Sequence, residues 1–122
     1  MSQEKATALG VTENLEALLC YVLGWMTGAA FLFIEKENRF VRFHAMQSLV
    51  TFLALSIVMF ILHGPLAYLP VPVLGYFLGF LTSLVGLLNL FLWVFLMVKA
   101  WKGEWYRLPV AGDFAAKQLG MD

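Results

Sequence analysis

The stretch AMQSLVTFLALSIVMFILHGPLAYLPVPVLGYFLGFLTSLVGLLNLFLWVFLMV, residues 45–98, decides the fold. It runs for 54 residues without an Asp, Glu, Lys or Arg. A helix needs about 20 apolar residues to cross a hydrocarbon layer roughly 30 Å thick, so the stretch is long enough for two spans. A second uncharged window of 18 residues lies between Glu16 and Glu35 and predicts a further span. Of the 122 residues, 61% are hydrophobic and 13% are charged, which is typical of a membrane protein and not of a soluble domain.

These windows predict an all-α integral membrane protein, a three-helix bundle that forms a single domain over residues 1–122. The spans are expected at about 14–34, 45–63 and 73–98. Thr12 is suited to cap the first helix and Asn38 the second, so the first two spans form a tight hairpin. The Pro and Gly residues between the second and third spans predict a turn there.

Residues 99–122 are predicted to form a cytoplasmic tail at the membrane interface. Aromatic and basic side chains alternate where the third span ends, and this mixture anchors a helix end among the lipid headgroups. Further along, a short surface helix is expected between Asp113 and Leu119, with Asp113 as its cap.

The positions of Lys and Arg predict the orientation. With three spans, one side of the membrane holds only Lys5, and the other side holds seven cations. These are Lys36, Arg39, Arg42, Lys99, Lys102, Arg107 and Lys117. Because cytoplasmic loops are enriched in Lys and Arg, we expect a cell-membrane protein with its N-terminus outside and its C-terminus in the cytoplasm. Residues 1–14 do not resemble the basic start of a secretory signal, so the first helix is expected to stay in the mature protein.

Small residues recur at four-residue spacing on two of the predicted spans. Gly24 and Gly28 lie on the first span, and Gly75 and Gly79 lie on the third. Such ridges let helices approach closely in lipid, where apolar burial supplies no driving force between helices. Packing within one subunit is the simpler interpretation. Contacts in a homo-oligomer or with a membrane-protein partner are the alternatives.

A polar layer is expected inside the bundle. Thr27, Thr51 and Asn89 all fall roughly 10–14 Å from the cytoplasmic ends of their helices, at about 1.5 Å per residue. An Asn in hydrocarbon needs a hydrogen-bond partner, so Asn89 is predicted to face the interior and bond across helices. Hydrogen bonds that fix the register of the helices are favoured over a conducting layer.

A second polar group is expected at the cytoplasmic end, where the second span begins and the third ends. Its members are Arg39, Arg42, His44, Gln47, Ser48, Tyr106 and Arg107. These side chains predict a surface that binds a protein partner or anionic lipid headgroups of the bilayer. The net charge of zero argues against nucleic acid as a partner.

The sequence lacks the common signatures of catalytic and cofactor sites. It contains no HExxH, GxxxxGK[ST], GxSxG or GxGxxG motif. The lone Cys20 excludes an internal disulfide and a zinc site built from cysteines. We therefore predict no catalytic residue, no cofactor and no metal, and we do not expect an enzyme.

Two runs of sequence resemble a known family. FIEKENRFVRFHAMQS, residues 33–48, and KAWKGEWYRLP, residues 99–109, are similar to small archaeal and bacterial membrane proteins that are uncharacterised. These are grouped with the twenty-kilodalton subunit of the chloroplast inner-envelope import translocon. The resemblance covers about residues 15–112. It implies three spans, the plasma membrane, and a role in protein translocation or membrane-protein assembly.

Two classes of function stay open at this point. The first is a structural or adaptor subunit that acts through helix packing and the cytoplasmic polar surface. The second is an oligomeric channel or transporter for a small solute, with Thr27, Thr51 and Asn89 along its path. Because the two uncharged windows hold no Asp, Glu, Lys or Arg, an ion-coupled pump is not expected.

Overall fold

In a computed structural model, which describes residue 7 and residues 10–120, this part of the chain consists of helices and connecting turns. The helices are α1 (Glu13–Val22), α2 (Trp25–Ile34), α3 (Arg39–His63), α4 (Pro72–Trp101) and α5 (Ala111–Gln118), with a short 3₁₀ helix, Pro65–Tyr68, between α3 and α4.

The two long helices, α3 and α4, match the second and third predicted spans. They have 25 and 30 residues and are apolar enough to cross a membrane. At 1.5 Å per residue they are about 37 and 45 Å long. Local signals set their starts, as the sequence predicts for Asn38, whose side chain accepts a hydrogen bond from the Val41 amide (3.1 Å). Pro72 occupies the first turn of α4, where its missing N–H costs nothing.

The segment of the first predicted span does not form one continuous helix, because the chain turns back in its middle. α1 ends at Val22, and Gly24 adopts φ +65°, a conformation that suits glycine. The Thr27 hydroxyl supports this break by donating to the Cys20 carbonyl (2.9 Å) and accepting from the Leu23 amide (3.2 Å). The segment 13–34 is thus two helices of ten residues each.

Contacts with α3 show that α1 runs parallel to it. At the start of α1, Glu13 accepts a hydrogen bond from the Asn38 side chain (3.0 Å). Eight residues later, the Tyr21 hydroxyl accepts from the Gln47 side chain (3.0 Å). Residue numbers therefore rise along both helices in the same direction.

Contacts of α2 show the opposite direction. Ser48 donates to the Gly24 carbonyl (2.9 Å) at the start of α2, and Arg42 donates to the Glu35 carbonyl (2.8 Å) at its end. α1 and α2 therefore form a helical hairpin. Both of its ends lie at the start of α3, and its tip lies beside Phe52, about half way along α3. A bundle of three spanning helices is replaced by two candidate spans and this hairpin.

The charged residues gather at one end of the molecule. The Asn14 side chain donates to the Trp101 carbonyl (3.0 Å), so α1 begins where α4 ends. We call residues 10–16, 35–42 and 99–120 the charged end, since they contain every described Asp, Glu, Lys and Arg. The start of α1 and the tail thus lie at the same end of the molecule, whereas the sequence predicts that they lie on opposite sides of the membrane. Lys5 lies outside the described residues.

The core is confined to the same half of the molecule. All nine buried residues of α3 lie between Phe40 and Phe52. Beyond them, residues 53–91 form an arm in which, among the described side chains, Leu78 alone is buried. We call the remainder the body. It comprises α1, α2, residues 39–52 of α3, residues 92–101 of α4 and the tail, residues 103–120.

The tail folds back onto α3. Ala115 and Ala116 of α5 are buried against Phe43. The predicted Asp113 cap is wrong, because α5 begins two residues earlier, after Val110, and Asp113 lies within its first turn.

Candidate functional site

A hydrogen-bonded polar network lies in the centre of the body. His44 Nε2 is 2.9 Å from the Glu104 carbonyl oxygen, which can only accept, so Nε2 carries the proton. In a neutral ring Nδ1 is then an acceptor, and it accepts from the Tyr21 hydroxyl at 2.7 Å. Both ring nitrogens of this fully buried histidine are thus engaged.

Gln47 completes the network. Its amide nitrogen donates to the Tyr21 hydroxyl (3.0 Å) and to the Tyr106 carbonyl (3.1 Å). Its amide oxygen accepts from the Leu108 backbone amide (2.9 Å). The side chains of α1 and α3 therefore hold the backbone of the tail, and the network is a clasp between distant parts of the chain.

Three residues that the sequence assigned to a surface are inside the body. His44, Gln47 and Ser48 are fully buried, because the hairpin and the tail cover the first half of α3. Their hydrogen bonds go to the protein's own groups. These three side chains are therefore not available to a partner or to lipid headgroups. The prediction that they belong to the surface is corrected.

The two arginines at the start of α3 cap other helices. Arg42 donates to the carbonyls of Leu32 (2.9 Å) and Glu35 (2.8 Å), where α2 ends. Arg39 donates to the carbonyl of Leu119 (3.0 Å), where α5 ends. Basic side chains suit these positions because the last carbonyls of a helix lack partners and carry partial negative charge.

Tyr106 and Arg107 lie in the tail, where Tyr106 is half-buried. The Tyr106 ring packs edge-on against Phe95, and the Lys99 ammonium lies 5.5 Å from its centre. Arg107 is exposed and pairs loosely with Asp113, at 3.7 Å. The predicted surface did not include the other exposed charges at this end. They are Lys36, Glu37, Lys102, Glu104, Asp113 and Lys117.

The predicted polar layer does not assemble. Thr27 is used inside the hairpin, as described above. Thr51 is buried, and its hydroxyl has no hydrogen-bond partner. Asn89 is exposed on α4 and does not point into the core. No hydrogen bond joins the three side chains in the described part of the chain.

Asn89 instead lines an open groove at the hairpin tip. The groove has a volume of about 310 Å³ and is formed by residues 22–26 together with Phe52, Ser56 and Trp93. The Trp93 indole donates to the Tyr21 carbonyl (2.7 Å) and so fixes the tip against α4. The first turn of α2 faces this groove, and no side chain caps the N-terminus of α2.

The glycines of the two predicted ridges have different surroundings. At Gly28, α2 and α3 touch backbone to backbone, since a β-carbon there would lie 2.7 Å from the Ala45 carbonyl oxygen. Gly24 supplies the turn of the hairpin. Gly75 and Gly79 have no atom within 4 Å of an added β-carbon and face open space in the single chain.

A metal site is not formed by the described residues. In that part of the chain, no three His, Cys, Asp or Glu side chains converge to hold an ion.

Comparison with known proteins gives a consistent family. The model of the magnetosome magnetite crystal formation protein family matches residues 5–115. Two UPF0132 membrane proteins of Methanocaldococcus jannaschii are similar. One is 40% identical over 110 residues, which are 90% of this chain and 72% of the relative. The other is 43% identical over 109 residues, which are 89% and 90% of the two chains.

A UPF0132 membrane protein of Archaeoglobus fulgidus is 41% identical over 108 residues, which are 88% of this chain and 96% of the relative. No solved structure matches the chain. The expected similarity to small archaeal membrane proteins is confirmed at this level.

Proposed function

Since the chain belongs to the magnetosome magnetite crystal formation protein family, and its archaeal relatives are named as membrane proteins, we propose that it is a structural or adaptor subunit of a membrane assembly. The observation that carries the proposal is the division into body and arm. The body is packed around α3, whereas the arm leaves two apolar helices exposed to lipid or to other helices.

The proposal places the charged end in the cytoplasm. The seven described Lys and Arg residues lie at this end, and cytoplasmic segments are enriched in these residues. α3 and α4 cross the membrane, and the hairpin enters from the cytoplasmic side and returns. Both described ends of the chain are then cytoplasmic.

The exposed side chains of the charged end form the docking surface for a protein partner. Lys102, Arg107 and Lys117 are exposed at this end, as are Glu37 and Asp113, so the surface carries both signs. Mixed charge of this kind favours a specific partner and steers its approach. Membrane-protein assembly or protein translocation is the process we propose. The family description concerns magnetite crystal formation, and for this chain we propose a supporting role in the membrane.

Site-specific photo-crosslinking in native membranes tests the proposal. A benzoylphenylalanine at position 102 or 117 is expected to give one protein adduct of defined mass. The same group at Tyr76, an exposed arm residue on α4, is the matched control and is expected not to give that adduct. Adducts that are absent, or the same from both sets of positions, would contradict a partner at the charged end.

A channel or transporter for a small solute is the second candidate, and the hairpin favours it. Half-length helices that end near the middle of the bilayer form substrate and ion sites in many transporters. Here the start of α2 lies in the groove with Ser56 and Asn89. Two spans and a hairpin are too few to enclose an aqueous path, so this function needs an oligomer.

Flux of small neutral solutes into reconstituted vesicles separates the two candidates. If the groove conducts, Asn89→Leu should abolish flux. Ser83→Ala serves as the control, because Ser83 lies on the same helix and bonds only to the Gly79 carbonyl of its own turn (3.0 Å). Absence of flux in the unmodified protein would remove this candidate.

A further inference from the structure

We infer that two copies of this chain pair in the membrane through one face of α4, where the two Asn89 side chains hydrogen-bond to each other. We call this face, which is formed by Gly75, Gly79, Thr82, Gly86 and Asn89, the small face of α4. The pairing rests on the proposed membrane placement of α3 and α4, and it holds whether or not a protein partner docks at the charged end.

Asn89 lies near the middle of the bilayer. The uncharged stretch ends just before Lys99, so Asn89 is about 15 Å from that edge at 1.5 Å per residue. The hydrocarbon layer is roughly 30 Å thick. The Asn89 side chain is exposed, and among the described residues none hydrogen-bonds to it. Because an amide in hydrocarbon without a partner is costly, this side chain needs a partner from outside the single chain.

The two sides of α4 differ in residue size along the arm. The small face carries glycines and short polar side chains at spacings of four and three residues, so they line one side of the helix. The opposite side carries large apolar side chains that are all exposed and suit contact with acyl chains. These are Phe77, Phe80, Leu84, Leu88 and Phe91. The small face is therefore the side suited to another helix, since small residues let helices approach closely in lipid.

The small face continues into the body, where it is already an interface. Trp93, Leu96 and Ala100 follow Asn89 at spacings of four, three and four residues. Leu96 and Ala100 are buried in the cluster that contains Tyr21 of α1, and the Trp93 indole donates to the Tyr21 carbonyl (2.7 Å). α1 ends one residue after Tyr21. Beyond this point the small face runs on for about 21 Å, and a β-carbon at any of its three glycines would meet no atom within 4 Å.

The Asn89 amide selects a second copy as the occupant. A side-chain amide has donors and an acceptor, so two of them related by a two-fold axis satisfy each other. A second copy in the same orientation brings this amide to the same depth, whereas acyl chains offer it no hydrogen bond. Gly86, three residues away, lets the two helices come close enough for that bond. In the pair the helices cross at Gly86 and separate toward both ends, so Gly79 stays outside the closest contact and each body keeps its own hairpin.

Disulfide formation in the membranes of the producing cells tests the pairing. Gly86→Cys is combined with Cys20→Ser, which removes the native buried thiol. Leu84→Cys in the same background is the matched control, because Leu84 is exposed at nearly the same depth on the opposite side of α4. After oxidation with copper phenanthroline, the Gly86→Cys chain should run as a covalent dimer that a reductant reverses. The Leu84→Cys chain should stay a monomer.

The other outcomes overturn the pairing in different ways. Equal yields of dimer from Gly86→Cys and Leu84→Cys would show that the small face is not selected, and a disulfide to a different protein would assign this face to a partner helix. Tyr68→Cys reports the membrane placement separately, since Tyr68 is exposed at the far end of the arm and should react with an impermeant maleimide in intact cells. If Tyr68→Cys reacts and Gly86→Cys stays a monomer, the pairing alone is wrong. If Tyr68→Cys does not react, the membrane placement and the pairing are both wrong.

Energy transfer between copies in phosphatidylcholine vesicles measures the part that Asn89 plays. Copies carry a donor or an acceptor dye at Lys102→Cys in the Cys20→Ser background. Asn89→Leu should fold, because Asn89 makes no side-chain hydrogen bond to the described residues, and should weaken association about 3- to 30-fold, the range for one interhelical hydrogen bond in a membrane. Asn89→Gln keeps an amide and should restore association, and Leu88→Ala on the opposite side should leave it unchanged. Equal association of Asn89→Leu and the unmodified chain would overturn the bond between the two Asn89 side chains.

Discussion

Gln47 shows how much a single buried side-chain amide contributes to the stability of the fold. In Gln47→Leu, the Tyr106 carbonyl and the Leu108 amide lose their partner inside the body. A buried polar group without a partner costs about 1–3 kcal/mol, so we expect the variant to be destabilised by about 2–4 kcal/mol. Unfolding in denaturant in a mild detergent measures this, and hydrogen exchange should rise in residues 104–110.

Gln118→Leu is the control for this change. Gln118 is an exposed glutamine at the end of α5, so its replacement should change stability by less than about 0.5 kcal/mol. Equal effects of the two substitutions would show that the clasp does not hold the tail.

Two glycines on different helices provide a matched pair. Gly28→Ala would place a methyl group 2.7 Å from the Ala45 carbonyl oxygen, which forces α2 and α3 apart. We expect a loss of about 1–3 kcal/mol, the usual range for overpacking. Gly79→Ala meets no atom within 4 Å and should be neutral or favourable by up to about 1 kcal/mol, because Ala is the better helix former. Thermal unfolding of both variants in nanodiscs measures these changes in stability. A larger loss of stability for Gly79→Ala than for Gly28→Ala would contradict the packing seen in the single chain.

At this scale, local features could be predicted and distant ones could not. The Asn38 cap depends on residues three positions away, and the sequence identifies it. The burial of His44 depends on the Glu104 carbonyl, 60 residues further along the chain. Polar residues at the start of a membrane helix are ordinarily read as a surface, and only the fold of the tail shows that this surface is covered.

Among the elements, the hairpin is where hydropathy misleads. An uncharged window of 18 residues has the composition of a span whether it runs straight or turns back. The decision rests on the conformation of Gly24 and on the Thr27 hydroxyl, which satisfies backbone groups at the break. The long helices were predictable, because their length and apolar content leave no other structure in lipid.

Accessibility of single cysteines tests the hairpin. In a Cys20→Ser background, Gly10→Cys, Glu37→Cys and Lys102→Cys all lie at the charged end. An impermeant maleimide should label none of them in intact cells and all of them after permeabilisation, since two spans place these sites on one side. Tyr68→Cys, at the opposite end, should be labelled in intact cells. Labelling of Gly10→Cys together with Tyr68→Cys would restore the three-span arrangement.

On the scale of the whole molecule, stability is concentrated in the body. The arm helices make few contacts with each other, whereas the first half of α3 is surrounded by the hairpin, the end of α4 and the tail. The proposed adaptor role needs such a packed part to present a surface, and the arm is left to lipid or to neighbouring helices. The tail is the C-terminal part of the body. Its removal therefore tests whether the body is one unit.

A chain ending at residue 103 should be less stable than the full chain. It lacks the Glu104 and Tyr106 carbonyls and the Leu108 amide, which the clasp engages. It also uncovers Phe43, which α5 buries. At about 1 kcal/mol for each hydrogen bond and about 2 kcal/mol for the burial of the Phe43 ring, we expect the free energy of unfolding to fall by about 3–6 kcal/mol.

A chain ending at Leu119 is the control. It keeps α5 and its bond to Arg39, and should unfold like the full chain. Trypsin sensitivity at Arg39 and Arg42 in nanodiscs should rise in the shorter chain only. If both truncated chains resist trypsin equally, the tail is an appendage and the body consists of the helices alone.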